Sequence, residues 1–368
     1  MTGRHATRRQ FLQDGTAAAG AAAALATLGR RAIADDAKAD QQVRKTRSYN
    51  AEMDYRRLGK TGLWVSAVCL GGHWKGMNRV LKGPVPGLGA FVTGPGGQEL
   101  LTNRHDVITR CIEVGINYVD ACTMGEVSAY GPALKGRREA MYLGFALWPR
   151  CPRDRRNYST AKAMLQILDE GMKAAQVDYV DVYRLVADER GSRHTQTEVD
   201  EMLAALDKAR KDGKARFTGL SSHDRPWLKM LIEKYPDQMQ VILFPYTADS
   251  KELPTDSLFE AVRKCDVGTF GIKPFGSGSL MGRGKTQQDK DRLARLAIRY
   301  ILHNPAMTAP IPGLAGTAEV DNVAAAIRER RRQDKLDKAE TAELKAACRH
   351  MWAHLPEGYD WLRDWRYV

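Results

Sequence analysis

The sequence predicts an α/β fold, a closed (β/α)8 TIM barrel, on three observations. From residue 53 onward, short apolar and β-branched runs alternate with helical stretches, and such alternation implies a parallel sheet with helical crossovers. The strand-like runs lie at 67–70, 118–120, 141–147, 179–185, 217–220, 241–244, 268–272 and 308–311, and a set of eight closes into a barrel more readily than it stays open. The chain of 368 residues suits one barrel of roughly 250 residues with appendages. Helices are expected near 106–114, 161–175, 198–211, 227–233, 256–265 and 288–302.

Composition narrows the class. An apolar share of 43% with 27% charged residues is that of a globular chain rather than a disordered one. Beyond the N-terminus no apolar run reaches the ~20 residues of a membrane span. The formal net charge is +13, concentrated in clusters such as Arg153/Arg155/Arg156 and Arg330/Arg331/Arg332. These read as solvated loops and a helix face; attraction to an anionic partner is the alternative, and no nucleic-acid motif supports it. The cysteines Cys69, Cys111, Cys122, Cys151, Cys265 and Cys348 form no C-x-x-C pair, so no metal site is expected. Buried free thiols are expected, although export would make a disulfide possible.

The first 34 residues read as an address. Thr7-Arg8-Arg9-Gln10-Phe11-Leu12 resembles a twin-arginine export motif, a weakly apolar stretch follows to Gly29, and Ala32-Ile33-Ala34 offers the A-x-A spacing of a cleavage site. The expectation is a protein exported folded to the periplasm or another extracytoplasmic space, with the export machinery as a partner. Residues 35–52 are polar and read as a flexible leader. Residues 53–328 form the barrel, and 329–368 a charged helix with an aromatic tail (Tyr359, Trp361, Trp365, Tyr367) expected to pack on it. The stretch 71–101, rich in Gly and Pro, is a long loop after the first barrel strand, and loops of that length usually serve a site.

Sequence blocks then point to a family. Met53-Asp54-Tyr55-Arg56-Arg57-Leu58-Gly59-Lys60-Thr61-Gly62-Leu63 with Val65-Ser66, then Cys69-Leu70-Gly71-Gly72, Gly115-Ile116-Asn117-Tyr118-Val119-Asp120, Ala133-Leu134-Lys135-Gly136-Arg137-Arg138, Asp178-Tyr179-Val180-Asp181-Val182-Tyr183, Gly213-Lys214-Ala215-Arg216-Phe217-Thr218-Gly219-Leu220-Ser221 and Ile311-Pro312-Gly313 resemble, in order, the aldo/keto reductases. The resemblance implies a barrel that reduces carbonyls with a nicotinamide cofactor, through an Asp, Tyr, Lys and His tetrad. Tyr protonates the nascent alkoxide in such an enzyme, because that charge must be neutralised at neutral pH.

Of that tetrad only the Asp is present, as Asp120. The Tyr position falls on Met124 or Gly125, the Lys position on Ala146 and the His position on Val186, none of which exchanges a proton. One compensation is visible. Arg184 shares a strand face with Val186, and a buried Arg needs an anion, for which Asp120 is the candidate. The pair either replaces the Lys–Asp contact and fills the barrel, or Arg184 stabilises substrate charge. Candidates for a replaced acid are His73, at the C-terminal end of the first strand where barrel enzymes place chemistry, and Tyr130, Tyr142 and His223; Tyr142 is expected to face inward and deep, His223 to be exposed.

The cofactor side is better preserved. By resemblance Ser221 and Gln240 anchor the nicotinamide carboxamide, Ser222 stands where Asn is usual, and Lys273 stands where a Tyr stacks. Gly276-Ser277-Gly278-Ser279-Leu280 resembles the loop around the pyrophosphate, and Asn322 the residue that contacts adenine. NADP or NAD is implied; residues 312–321 hold no Lys or Arg for a 2′-phosphate. Two readings stay open: an exported oxidoreductase acting on a small carbonyl or hydroxyl compound, sugars included, with a tightly held nicotinamide cofactor; and a catalytically inactive relative that binds a ligand.

Overall fold

The computed structural model describes residues 39–74, 77, 80–82, 87–88, 91–92, 97–251, 257–357, 359–360 and 362. Residues 1–34, expected to be an export signal, lie outside them, as do Trp361, Trp365 and Tyr367 of the aromatic tail. Residues 39–44 are helical.

An antiparallel hairpin, β1 (Tyr55–Arg57) and β2 (Trp64–Ser66), opens the barrel domain. Its turn is pressed against the barrel floor, where Gly59 bridges Val267 and Lys60 N–H donates to Asp266 O. Gly59 has φ +48 and no room for a Cβ against the Gly268 backbone, so glycine is required on both counts. Leu58, Leu63 and Val65 reach the barrel interior and join Tyr118, Val182, Leu243 and Phe270. β3 (Gly87–Leu88) and β4 (Phe91–Val92) form a second small hairpin.

The barrel wall follows. β5 (Tyr118–Thr123), β6 (Tyr142–Trp148), β7 (Val180–Val186), β8 (Ala215–Ser221), β9 (Val241–Pro245), β10 (Gly268–Ile272) and β11 (Ala309–Pro310) run parallel in sequence order. The first barrel strand, at residues 69–71, closes the ring. Leu70 bridges Val119, Gly71 bridges Gly313, and Cys69 N–H donates to Pro310 O. Each predicted strand run falls on an observed one. Around the wall lie α1 (Gln98–Val114), α2 (Met124–Ala133), α3 (Ala161–Ala175), α4 (Gln196–Lys211), α5 (Arg225–Lys234), α6 (Leu258–Cys265), α7 (Gln287–Leu302) and α8 (Thr317–Arg332). Among the described residues no helix is long and apolar enough to cross a membrane, and no group of His, Cys, Asp and Glu is arranged to hold a metal.

Four expectations about organisation need correction. α1 begins at Gln98, not near residue 106, so the loop before it is shorter. α2 has no counterpart among the predicted helices, because it is only weakly amphipathic and contains glycine and Pro132. The barrel boundary at 328 falls inside α8, which runs to Arg332; a separate helix, α9 (Lys338–Ala353), follows and is held by Arg299–Glu340 at 2.6 Å. Residues 47–52 are not a free leader. Arg47 donates to Met141 O and pairs with Asp181 and Glu139, Ser48 donates to Ala140 O, and Asn50 to Glu113 O.

The basic clusters are mostly paired. Arg153 meets Glu189 at 2.6 Å, Arg155 holds Glu198 with two hydrogen bonds, and Arg330 reaches Asp54 at 3.0 Å. All six cysteines are free thiols, with Cys122 and Cys265 partly exposed and the rest buried.

Replacing Gly59 by Ala is expected to lower stability by about 2 kcal/mol or more, since the new methyl meets backbone and the φ is positive. Urea unfolding checks this; an unchanged midpoint would mean that the hairpin turn moves off the floor without cost.

Candidate active site

The interior of the barrel holds an ion pair between Asp120 and Arg184. Asp120 on β5 and Arg184 on β7 are both almost fully buried, at 4% and 3% exposure. Arg184 Nε donates to Asp120 Oδ1 at 3.1 Å and Nη2 to Oδ2, a two-pronged contact. Burial works against the Arg184 charge, and Asp120 more than offsets it, so the guanidinium is held above its usual range. Space for the pair comes from small residues on the intervening strand. A Cβ at Gly144 would strike the Tyr118 hydroxyl and approach Asp120, and Ala146 stands two residues on, where the family resemblance places a lysine. An enclosed, paired Arg184 fills the barrel and replaces that contact; the alternative, direct contact with substrate charge, has no geometric support at this depth.

The mouth of the barrel, at the C-terminal ends of the strands, carries a second charged cluster. His73 follows the first strand. Its Nδ1 lies 3.0 Å from Glu126 Oε1, and its backbone N–H donates to the same oxygen at 2.6 Å. Glu126 has no exposed side-chain surface, whereas the His73 side chain is 36% exposed. Glu126 Oε2 accepts from Cys122 N–H at 2.6 Å and from Thr123 N–H at 3.3 Å, closing a capping box at the start of α2. His73 has φ +56, an uncommon conformation for a residue with a side chain, and two hydrogen bonds to Glu126 hold it there.

Burial opposes charging of His73, but the Glu126 charge, the neighbouring Cys122 and the hydrogen bonds to both outweigh it. The imidazole is pushed up to about 10. Burial alone would raise Glu126; His73 and the backbone donors at Cys122 and His73 pull it below the usual carboxylate range instead. At neutral pH the pair is therefore imidazolium and carboxylate. Glu126 escaped sequence reasoning, although Thr123-Met124-Gly125-Glu126 carries the T-x-x-E spacing of a capping box.

The remaining acid candidates separate cleanly. Tyr130 lies in α2, its hydroxyl donating to Gly71 O at 2.7 Å and accepting from Trp74 Nε1 at 2.8 Å, which makes it a packing residue. Tyr142 faces inward at the start of β6, buried beneath the Arg47 guanidinium. His223 is buried, not exposed as expected, because the turn after β8 folds it inward beside Lys273, whose Nζ is 3.4 Å from His223 Nε2. Burial, then the charges of Lys273 and Arg153, hold His223 well below the usual imidazole range and hence neutral.

The proposed cofactor residues divide. Ser221 ends β8 at the mouth, Lys273 follows β10 with φ +58, and Gly276, Ser277 and Gly278 carry φ of +50, +60 and +94. Gly276 N–H donates to Lys273 O at 3.0 Å and Gly278 N–H to Phe275 O at 2.9 Å, so the turn is closed by its own backbone. A Cβ at Gly278 would meet nothing within 4 Å, so the loop's outer side is open to a ligand. Ser279 turns its hydroxyl back to Gly276 O at 2.5 Å. Ser222 supports the neighbouring loop, donating to Asp188 O at 2.9 Å.

Three assignments are corrected. Gln240 precedes β9 at the floor, where its Oε1 accepts from Thr218 N–H at 3.1 Å; five strand residues, roughly 16 Å, separate it from the mouth. The Leu280 side chain packs with Leu344, Ala347 and Met351 in the C-terminal layer. Asn322 is engaged between helices, accepting from Arg295 Nη1 at 2.7 Å and donating to Asp291 O at 3.1 Å.

Comparison with known proteins places this geometry. Residues 87–295, more than half of the chain, match the Aldo/keto reductase family. The chain belongs to the aldo/keto reductase family. Its sequence is 23% identical over 308 residues to L-galactose dehydrogenase of Arabidopsis thaliana, covering 76% of this chain and 89% of that one. It is 22% identical over 255 residues to L-glyceraldehyde 3-phosphate reductase of Escherichia coli K12, covering 63% and 64%. Among solved structures, an aldo-keto reductase from Klebsiella pneumoniae in complex with NADPH superposes with TM-score 0.59 at 19% identity, covering 80% and 94%. The holo form of a Bacillus halodurans aldo-keto reductase gives 0.58 at 18%, covering 83% and 99%. The fold is thus of the aldo/keto reductase barrel type, and a nicotinamide cofactor is the family's general partner.

Two outcomes test the charge pairs. Arg184→Met leaves Asp120 buried without a cation and is expected to cost about 3–5 kcal/mol; Asp120→Asn combined with it should recover part, read from urea midpoints at pH 7. For the mouth, the raised His73 stabilises fully below the unfolded imidazole value near ~6.5 and loses that contribution as pH rises through about 10. Lowered Glu126 stabilises above the ordinary carboxylate range and loses its contribution on acidification. The stability gap between wild type and His73→Gln should therefore be widest at mildly acidic pH and close toward pH 10. A gap independent of pH would show His73 to be neutral in the fold.

Proposed function

We propose that this chain is an exported oxidoreductase that reduces small carbonyl compounds, or oxidises the matching alcohols, with His73 as the proton donor in place of the family tyrosine. The observation that carries the reading is the buried Glu126 carboxylate 3.0 Å from His73 Nδ1 at the barrel mouth. An imidazolium held that firmly has a proton affinity close to that of a phenol. It offers a proton to an oxygen that becomes an alkoxide, and afterwards it is recharged from solvent through its exposed edge.

A bound nicotinamide cofactor supplies the hydride. Gly276–Gly278 would hold its pyrophosphate, and Ser221 and Lys273 would flank the ring. Asp120–Arg184 lies below the site and fixes the wall on which β5 and β7 present their ends. The choice between NADP and NAD is not set by residues 312–321, which carry no cation. Sugar-sized hydroxy-aldehydes suit the reading, since the two curated relatives named above are an L-galactose dehydrogenase and an L-glyceraldehyde 3-phosphate reductase. Export by the twin-arginine route favours a cofactor loaded before transport and kept through turnover.

The second reading, a ligand-binding relative without turnover, is favoured by one observation: Met124 or Gly125, Ala146 and Val186 stand at the Tyr, Lys and His positions. Native mass spectrometry of the mature protein, followed by a carbonyl screen, separates the two. Near-stoichiometric nicotinamide nucleotide and turnover that falls by roughly 10²–10⁴-fold in kcat for His73→Gln, with little change in KM, support the oxidoreductase. Turnover untouched by that substitution would remove His73 from the chemistry, and the absence of both nucleotide and turnover would favour the binding protein.

A further inference from the structure

The mouth cluster contains one more reactive group. Cys122 stands at the end of β5, where the pairing with β6 shifts register between Ala121–Phe145 and Thr123–Trp148. Such irregularities re-aim side chains next to active sites. Its backbone N–H shares the Glu126 carboxylate with His73, so the cysteine, the histidine and the carboxylate are gathered around one buried group. Cys122 N–H and His73 Nδ1 take the two oxygens of that carboxylate at 2.6 and 3.0 Å, which sets the cysteine beside the histidine. Cys122 is partly exposed, unlike Cys69, Cys111, Cys151 and Cys348. Burial pushes the thiols of Cys151 and Cys348 up to about 12, and those cysteines are inert packing residues.

A nucleophile, a histidine within reach of it, and a carboxylate that orients the histidine make up the constellation of covalent catalysis. We propose that Cys122, His73 and Glu126 form a nucleophilic thiol site that captures aldehydes as reversible hemithioacetals. The Cys122 sulfur forms a bond to the carbonyl carbon, and the carbonyl oxygen takes a proton from His73. The thiol proton restores the imidazolium. The net change is addition of S–H across C=O, with nothing oxidised or reduced and no further reactant. Aldehydes are the class, because a carbonyl carbon bearing one hydrogen admits the sulfur where the two carbon substituents of a ketone crowd it. The site shares His73 with the carbonyl-reducing reading but needs no cofactor, so each can fail alone.

The test is alkylation of the mature protein by iodoacetamide, read by peptide mass spectrometry, with Cys265 as internal reference because it too is partly exposed. Cys122 is expected to react about tenfold or more faster than Cys265 at pH 7, and His73→Gln to remove that advantage. Glycolaldehyde should protect Cys122 and not Cys265, protection should disappear on dialysis, and acetone should give none. Circular dichroism verifies that His73→Gln is folded; if it is not, glycolaldehyde protection of the wild type decides alone. Equal rates at the two cysteines, no effect of a folded His73→Gln, or no protection by the aldehyde would each overturn the proposal. Loss of carbonyl turnover in His73→Gln with unchanged Cys122 alkylation would sink the thiol site and leave the proton-donor reading standing.

Discussion

A carboxylate with no exposed surface must be paired or it will not stay ionised, and Glu126 meets that constraint with partners from two other segments. His73 arrives from the first barrel strand, Cys122 and Thr123 from the end of β5, and Glu126 itself from the first turn of α2. Satisfying one buried charge thus joins the closing strand to its neighbour at the mouth, caps a helix and holds His73 in a left-handed conformation. Gly72 is drawn into the same constraint, since a Cβ there would strike the Glu126 carboxylate. The chemistry available at the mouth is a by-product of that requirement: an imidazole tied to a buried anion is charged, oriented and still reachable from solvent.

Deeper in the barrel a second buried charge is solved differently. Asp120 is paired not by a residue of the adjacent strand but by Arg184 two strands away, across the space that Gly144 and Ala146 leave. A guanidinium is long enough to cross that gap and planar enough to meet both carboxylate oxygens. The family's lysine is therefore replaced in charge and not in position. Arg184 is spent on Asp120, and a second ionisable pair, His73 with Glu126, stands further out at the mouth.

In the loop after β10 the backbone does more than the side chains. Gly276, Ser277 and Gly278 adopt left-handed conformations in succession, while Leu280 anchors the loop to α9 and a Cβ on Gly276 would collide with Met351. The C-terminal helix thereby fixes the shape of the loop from behind and leaves its outer face open. Arg299, buried between Glu340 and Gln333 O, is what keeps α9 in that position.

The sequence by itself determined the barrel, its strand order and most helices, because β/α alternation is written in local apolar periodicity. It also determined the Asp120–Arg184 pair, since parity along a strand and the need of a buried cation for an anion are local arguments. Tertiary structure alone decided the rest. Gln240 and Asn322 occupy positions that the family resemblance assigns to the cofactor, yet one lies on the floor and the other between two helices, because depth along a strand and competition from a neighbouring Arg295 leave no local trace. His223 is buried for the same reason: burial after a strand depends on which loop covers it. Glu126 was visible only as a capping residue. That it also holds His73, 53 residues earlier in the chain, follows from barrel closure, which brings the first strand beside β5 and makes one buried charge answer to both.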